Sequence, residues 1–380
     1  MTHVRSNPPD LSPPLGLTCA QFVARCVDEG TLSPDRAAAA YSGFFRQGTW
    51  HLSPASTSPP VPIPSNVLRS ESPEGEVIKF LLTVPGVPGF PGGPGTGTGA
   101  ERALDTESVI IPMKRRHETT FTLCVSSQVG CAMGCTFCET AQMGLIRSLD
   151  TAEIVQQVWA ARHHLGAAIR NVVFMGMGEP LDNLDNVVRA IEVLTDNRGP
   201  AIAMSRITVS TVGRLDGLAR LREHVQRPGW KQLNLAVSVN APNDDIRSRI
   251  MPINRSMPLG ELIPVLETWP RRKSGAICVE YVLIPGVNDA PEHAEELAAR
   301  LRSVRCCVNV IPYNPRRNSP WPAPDEQTVA AFLQKLESLG QFCKRRRTKG
   351  RDTMAACGQL GNQSIRRRRF VELSTPVATA

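Results

Sequence analysis

The chain reads as an α/β protein, a partial (βα)6 barrel with a small helical and β accessory region ahead of it. Three observations carry that reading. Beyond residue 118, six short β-branched runs alternate with amphipathic stretches, the pattern of parallel strands joined by right-handed helical crossovers. No nucleotide-binding glycine fingerprint follows the first of those strands, which favours a barrel over a doubly wound sheet. The distinctive polar residues fall directly after the strands, on the face where the loops of a barrel all emerge.

The elements follow in order. Residues 15–50 carry helix-like apolar spacing in "CAQFVARCVDEG" and "SPDRAAAAYSGFFRQG". The stretch "SPASTSPPVPIPS" at 53–65 is a Pro/Ser linker, so residues 1–66 form a helical accessory segment and its linker. Residues 67–118 are a small β-containing region, with "GEVIKFLLTV" and "ESVIIPM" as strands around a Gly/Pro-rich insertion at 85–101. The barrel spans 119–342. Its strands are "FTLCV", "NVVFMG", "RITVST", "LNLAVSV", "CVEYVLI" and "CVNVIPY". The helices between them are "TAEIVQQVWAARHHLG", "NLDNVVRAIEVLTDN", "LDGLARLREHV", "LGELIPVLETWP" and "APEHAEELAARLRSV", and "DEQTVAAFLQKLESLG" follows the last strand. Residues 343–380 form a basic C-terminal segment.

A chain of 380 residues can bury a sizeable core, and 41% hydrophobic with 21% charged residues is ordinary for a soluble protein. The first residues hold no apolar signal core, and the run "FLLTVPGVPGF" is broken by prolines and too short to span a bilayer. The expectation is a cytoplasmic protein with no membrane contact. A reducing compartment turns eleven cysteines away from a disulfide framework and toward metal or redox chemistry. Cys19, Cys26, Cys278, Cys306, Cys307 and Cys343 sit among apolar neighbours and read as small buried hydrophobes. The net charge of +8 is unevenly placed: residues 344–369 hold ten Lys or Arg and one acid, Asp352. That is the footprint of a polyanion partner, the alternative being a solvated basic tail. Cys357 in its middle argues against a mere tail.

The stretch "CVSSQVGCAMGCTFCETAQMG" at 124–144 holds four cysteines, three of them spaced C-x3-C-x2-C. Close-spaced thiolates select zinc or an iron–sulfur cluster. Zinc prefers two pairs closing a tetrahedron, and no second matching pair is present, although Cys124 could serve as a fourth ligand. Three ligands on one loop suit three irons of a cube with the fourth iron open to substrate. Spacing alone leaves both readings standing.

"CAMGCTFC" resembles the signature of radical S-adenosylmethionine (SAM) enzymes. With "CVSSQVGC", "TAQMG", "GMGEPLDN", "APND", "MPIN", "EYVLIPGVND", "IPYNP" and "AACGQL" in order, residues 105–365 resemble the RlmN/Cfr family of RNA adenine-C methyltransferases. The resemblance implies a radical SAM barrel in which Cys131, Cys135 and Cys138 ligate one [4Fe-4S] cluster whose open iron chelates SAM. It implies that Gly178 and Glu179 contact the SAM amino group, where a carboxylate beside an ammonium makes a charge-assisted hydrogen bond. Ser210, Ser238, Val239, Asn240 and Asn314 match the positions that hold the rest of SAM. An adenine amidine carbon is not nucleophilic, so the family uses two SAM per turnover. One methylates a cysteine, and the reduced cluster cleaves the other to a 5′-deoxyadenosyl radical that abstracts hydrogen from that methyl. By resemblance Cys357 is the methyl carrier, Cys124 the thiol that releases product by forming a disulfide with it, and Glu107 a proton acceptor.

The implied partner is RNA, principally 23S rRNA with certain tRNAs as alternatives, and an electron donor such as flavodoxin or ferredoxin. The presence of an N-terminal extension leans toward C2 of adenine over C8. A different RNA target, or a non-enzymatic zinc-containing RNA-binding protein, are the competing readings. Asn240 stands where the family commonly has histidine. It can still exchange hydrogen bonds but cannot titrate as histidine does.

Overall fold

The computed structural model describes residues 11–50, 61–87, 103–114, 118–346, 350 and 353–361. The linker residues 53–60, insertion residues 88–101 and basic residues 362–380 lie outside them.

Two helices open the fold, α1 (Cys19–Asp28) and α2 (Pro34–Gln47). Thr18 caps the first: its hydroxyl accepts from Gln21 N while the Gln21 side chain accepts from Thr18 N. The second starts on a proline and stops at Gly48, whose φ of 72° is left-handed. Their apolar faces pack on the barrel. Phe44 stacks on Trp159 with centroids 5.3 Å apart, and Trp159 Nε1 donates to Phe44 O at 2.9 Å. Such an aromatic pair contributes about 0.5–1.5 kcal/mol beyond its buried area.

Three antiparallel strands come next, β1 (Ser65–Ser72), β2 (Gly75–Val84) and β3 (Leu104–Lys114). "SNVLRSES" is polar and largely exposed, so nothing in its pattern announces a strand; the tight turn pairing Ser72 with Gly75 folds it onto β2. Then follow β4 (Thr119–Val125), β5 (Gln128–Gly130), α3 (Glu139–Gln142), β6 (Leu145–Ser148), α4 (Thr151–His163) and β7 (Ile169–Phe174). The alternation continues through α5 (Leu184–Thr195), β8 (Ile207–Thr211), α6 (Leu215–Val225), β9 (Asn234–Ser238), α7 (Asp244–Ile250) and α8 (Leu259–Glu267). It closes with β10 (Ile277–Leu283), α9 (Pro291–Leu301), β11 (Cys306–Pro312), α10 (Glu326–Ser338) and β12 (Cys343–Arg345).

Strands β4, β7, β8, β9, β10 and β11 are parallel neighbours in chain order, the six-stranded partial barrel expected from the alternation. The sheet does not stop there. The antiparallel β1–β3 continue it beyond β4 and the short parallel β12 extends the other edge, giving ten strands. Val172, Val209, Val237, Val279 and Val308 are fully buried, as expected of parallel strands covered on both faces. β5, β6 and α7 emerge from what reads as loop, being too short for periodicity to register. Asn243 caps α7 by accepting from Ile246 N at 2.9 Å. Among the described residues no helix is long and apolar enough to cross a membrane.

Candidate active site

The loop after β5 carries the cysteine triplet, and two glycines shape it. Gly130 has φ 78°, and a Cβ there would lie 1.9 Å from Gly144 O, so no side chain fits. Gly134, φ 68°, turns the chain between the first two thiols. Cys131 N donates to Gly144 O, Thr136 N to Ile250 O and Arg316 Nε to Thr136 O, so the loop is held from three sides. Cys131 and Cys135 are buried and Cys138 is half-buried. Burial pushes all three thiols up as bare side chains. Among the described residues no three His, Cys, Asp or Glu side chains close on a single ion.

The triplet lines a cleft whose other walls are the ends of the barrel strands. Gly178, Glu179, Ser210, Ser238, Asn240 and Asn314 all face it. Gly178 has φ 101° and lies against Gln128, which accepts from Glu179 N at 2.9 Å. The Glu179 carboxylate accepts from Leu181 N and Val212 N, and burial raises it to about 7 despite those donors. Asn240 is buried with φ 57°. Asparagine and histidine are both enriched in that left-handed region, which gives a physical reason for one standing in for the other. Val239 does not line the cleft: its side chain belongs to the core and its carbonyl accepts from Arg247 Nε at 3.0 Å.

Two residues without any motif of their own join the same wall. Glu280, in the middle of "CVEYVLI", pairs in register with Ser238. Its Oε2 accepts from Ser210 Oγ at 3.0 Å and Ser238 Oγ at 3.5 Å. Arg346, just past β12, donates to Glu280 Oε1 at 3.1 Å. The sequence reading did not single out either. The available signal was a carboxylate inside an otherwise apolar strand buried on both faces.

The segment 353–361 crosses the cleft and brings Cys357 to it. Its anchors are many: Glu139 N donates to Gly358 O at 2.7 Å, Thr140 Oγ1 to Leu360 O at 2.5 Å, and Gln359 Nε2 to Pro315 O at 3.0 Å. Cys124, buried on β4, lies close enough to Cys357 for the two thiols to interact electrostatically, and burial pushes it up to about 12. Residues 233 positions apart in sequence are thus brought near one another, Cys357 lining the cleft and Cys124 outside its lining. The disulfide expected between them is not formed: all eleven cysteines are free thiols. Glu107 lies on β3 outside the cleft wall, buried and paired with Lys79 Nζ at 2.7 Å. Its carboxylate also accepts from Gly361 N at 3.1 Å, four residues beyond Cys357.

Residues 125–299 match the Radical SAM superfamily. "Probable dual-specificity RNA methyltransferase RlmN 1" of Protochlamydia amoebophila is 45% identical over 267 residues, covering 70% of this chain and 72% of that protein. "Dual-specificity RNA methyltransferase RlmN" of Phenylobacterium zucineum is 43% identical over 270 residues, 69% of this chain and 68% of that one. The chain belongs to the RlmN family. A solved radical SAM methyltransferase from Sphaerobacter thermophilus superposes with a TM-score of 0.76 at 35% identity, covering 92% of this chain and 99% of that one.

As an RlmN-family radical SAM enzyme the chain uses a [4Fe-4S] cluster and SAM. The residues present fit both groups. Three soft thiol donors sit on one loop at the cleft, the donor set an open-site cluster requires. The strand ends beside them offer a buried carboxylate, two serine hydroxyls and two asparagine amides to a ligand bearing ammonium, carboxylate and ribose. RlmN-family membership also retires the reading of a structural zinc protein.

Proposed function

We propose that this chain methylates a ring carbon of adenine in RNA, C2 rather than C8, in 23S rRNA and also in tRNA. The relatives named dual-specificity RNA methyltransferases support RNA as the substrate and more than one target. The observation that carries the reading is that Cys357, far from the triplet in sequence, lines the same cleft as the triplet, with the buried Cys124 thiol near enough to feel its charge.

In this reading Cys131, Cys135 and Cys138 ligate the cluster, and Gly178, Glu179, Ser210, Ser238, the Val239 backbone, Asn240 and Asn314 hold SAM. When bound, these groups supply an electrophilic methyl and, after one-electron reduction by a flavodoxin- or ferredoxin-type donor, hydrogen-atom abstraction. Cys357 accepts the methyl and presents it to the base. Cys124 stays a protonated thiol, as its burial enforces, until the adduct on Cys357 must be released. We assign Glu107 to holding the carrier segment rather than to proton transfer, because its carboxylate is already engaged by Lys79 and Gly361 N. The base must leave its stack to reach Cys357.

The test is anaerobic purification, iron and sulfide analysis, and mapping of methyladenine in RNA treated with protein, SAM and reductant. About four irons and four sulfides per chain are expected. Cys357→Ala should keep that content and abolish turnover, and Cys124→Ala should accumulate a covalent protein–RNA adduct. Full turnover by Cys357→Ala would overturn the assignment.

A further inference from the structure

Cys357, the nucleophile in this reading, sits where burial discourages ionisation, and the charged side chain of Arg346 lines the same cleft. Arg346 is fixed by its own backbone, whose N–H donates to Val310 O at 2.8 Å. Its Nη1 donates to Glu280 Oε1 at 3.1 Å and lies 3.7 Å from Met175 Sδ. Glu280 is in turn held by Ser210 and Ser238. Arg346 and Cys357 line the cleft together, and both also line a second cavity, so the two residues stand where the cavities adjoin.

Among the described residues the other charged groups around the thiol do not replace this one. Glu280 also faces Cys357 but opposes its ionisation, and Cys124 beyond it is neutral. Lys79 is neutralised by Glu107, which meets the segment at Gly361, while Glu139 meets it at Gly358. The cluster thiols face Glu179, Arg247 and Glu139 rather than Cys357.

We propose that Arg346 is the positioning residue that makes Cys357 a competent thiolate, with Glu280 tethering its guanidinium to the two serines that face the methyl donor. Burial pushes the Cys357 thiol up, and the adjacent guanidinium pulls it back down. Ionisation breaks the S–H bond, sends the proton to water and leaves the electron pair on Sγ, so no oxidant or reductant is needed. Arginine suits the place because it stays charged when desolvated, and its fork can bind Glu280 with one nitrogen while presenting others to the thiol. The proposal rests on Cys357 being the methyl carrier.

The test needs no methyl donor. Iodoacetamide alkylation of anaerobically purified full-length protein, with its cluster, is followed against pH on the tryptic peptide 352–366, whose single cysteine is Cys357. Arg346→Gln should move the midpoint to higher pH. A thiolate population ten times smaller alkylates about tenfold more slowly at any pH below the midpoint, which is the loss expected for a rise of about one pH unit. Arg346→Lys should restore most of the rate, and half-buried Cys307, whose thiol answers to Lys344 rather than Arg346, should alkylate alike in all three proteins. An unmoved midpoint in Arg346→Gln, or equal midpoints for the Gln and Lys variants, overturns the assignment. Incubation with SAM and a search for methyl on the same peptide tests the carrier reading separately. No methyl there, with the alkylation midpoint still raised in Arg346→Gln, sinks the carrier and upholds the electrostatics.

Discussion

Arg247 is fully buried, yet its guanidinium donates to the carbonyls of Val239, Val212, Ser238 and Met257 and to Asn254 Oδ1. Val212 follows β8, Ser238 ends β9 and Val239 follows it, so one side chain spaces the two strand ends that present Ser210, Ser238 and Asn240. A lysine ammonium cannot reach all five acceptors. Arg247→Lys should therefore cost about 1–3 kcal/mol for each carbonyl left without a donor. The loss should appear as a lower urea midpoint at unchanged slope, together with weaker SAM binding by calorimetry. Wild-type stability in that variant would show that the strand ends space themselves. The cysteine triplet and the strand-end Ser and Asn residues were legible because local spacing and position after a strand point to them. Arg247, Glu280 and Arg346 were not. Their partners lie on other strands, and only the parallel register that sets Glu280 beside Ser238 brings the pairs together.

At the scale of elements, β2 and β3 do more than extend the sheet. Lys79 on β2 and Glu107 on β3 form an ion pair whose side chains are 7% and 5% exposed. Lys79 Nζ also donates to Met354 O at 3.2 Å, and Glu107 accepts from Gly361 N, so the pair grips the Cys357 segment at both ends. Lys79→Met would leave a buried carboxylate without its counter-charge, a change that costs about 3–5 kcal/mol. The expected result is faster amide hydrogen exchange across 354–361 and turnover lowered at least tenfold, with iron content retained. Adding Glu107→Gln should recover stability but not the slow exchange of the segment, since the ammonium that holds Met354 O is still missing. Unchanged exchange in Lys79→Met would show that the anchors from Glu139, Thr140 and Gln359 suffice. The strands themselves were readable from "GEVIKFLLTV" and "ESVIIPM", but their purpose was not. The grip joins residues 275 and 254 positions apart, and no periodicity carries such information. The polar β1 escaped for the opposite reason, its pairing being set by a turn rather than by an apolar face.

Across the whole molecule the alternation of strands and helices was enough to specify the barrel, because each βα unit buries a continuous apolar run and right-handed crossovers leave few topologies open. Charge is distributed on a different principle. Of 43 basic and 35 acidic residues, the stretch 344–369 takes ten and one, leaving 33 against 34 elsewhere. The rest of the chain is close to neutral and the excess is concentrated in the stretch around Cys357. Within that stretch Arg345 pairs with Glu326 and Arg346 with Glu280, so these two serve the fold and the site. Attraction to phosphate then falls to the others, including the run Arg366–Arg369, which lies outside the described residues. Each phosphate neutralised adds about 0.7–0.9 to the slope of log affinity against log salt, without specifying sequence. Replacing Arg366–Arg369 by Gln should therefore flatten that slope for RNA by up to about 3. The affinity loss should be large in dilute buffer and shrink as salt rises. Filter binding of an rRNA fragment across a salt series reads this directly. An unaltered slope would place the RNA grip outside this run and leave the base's approach to Cys357 to other surfaces of the barrel.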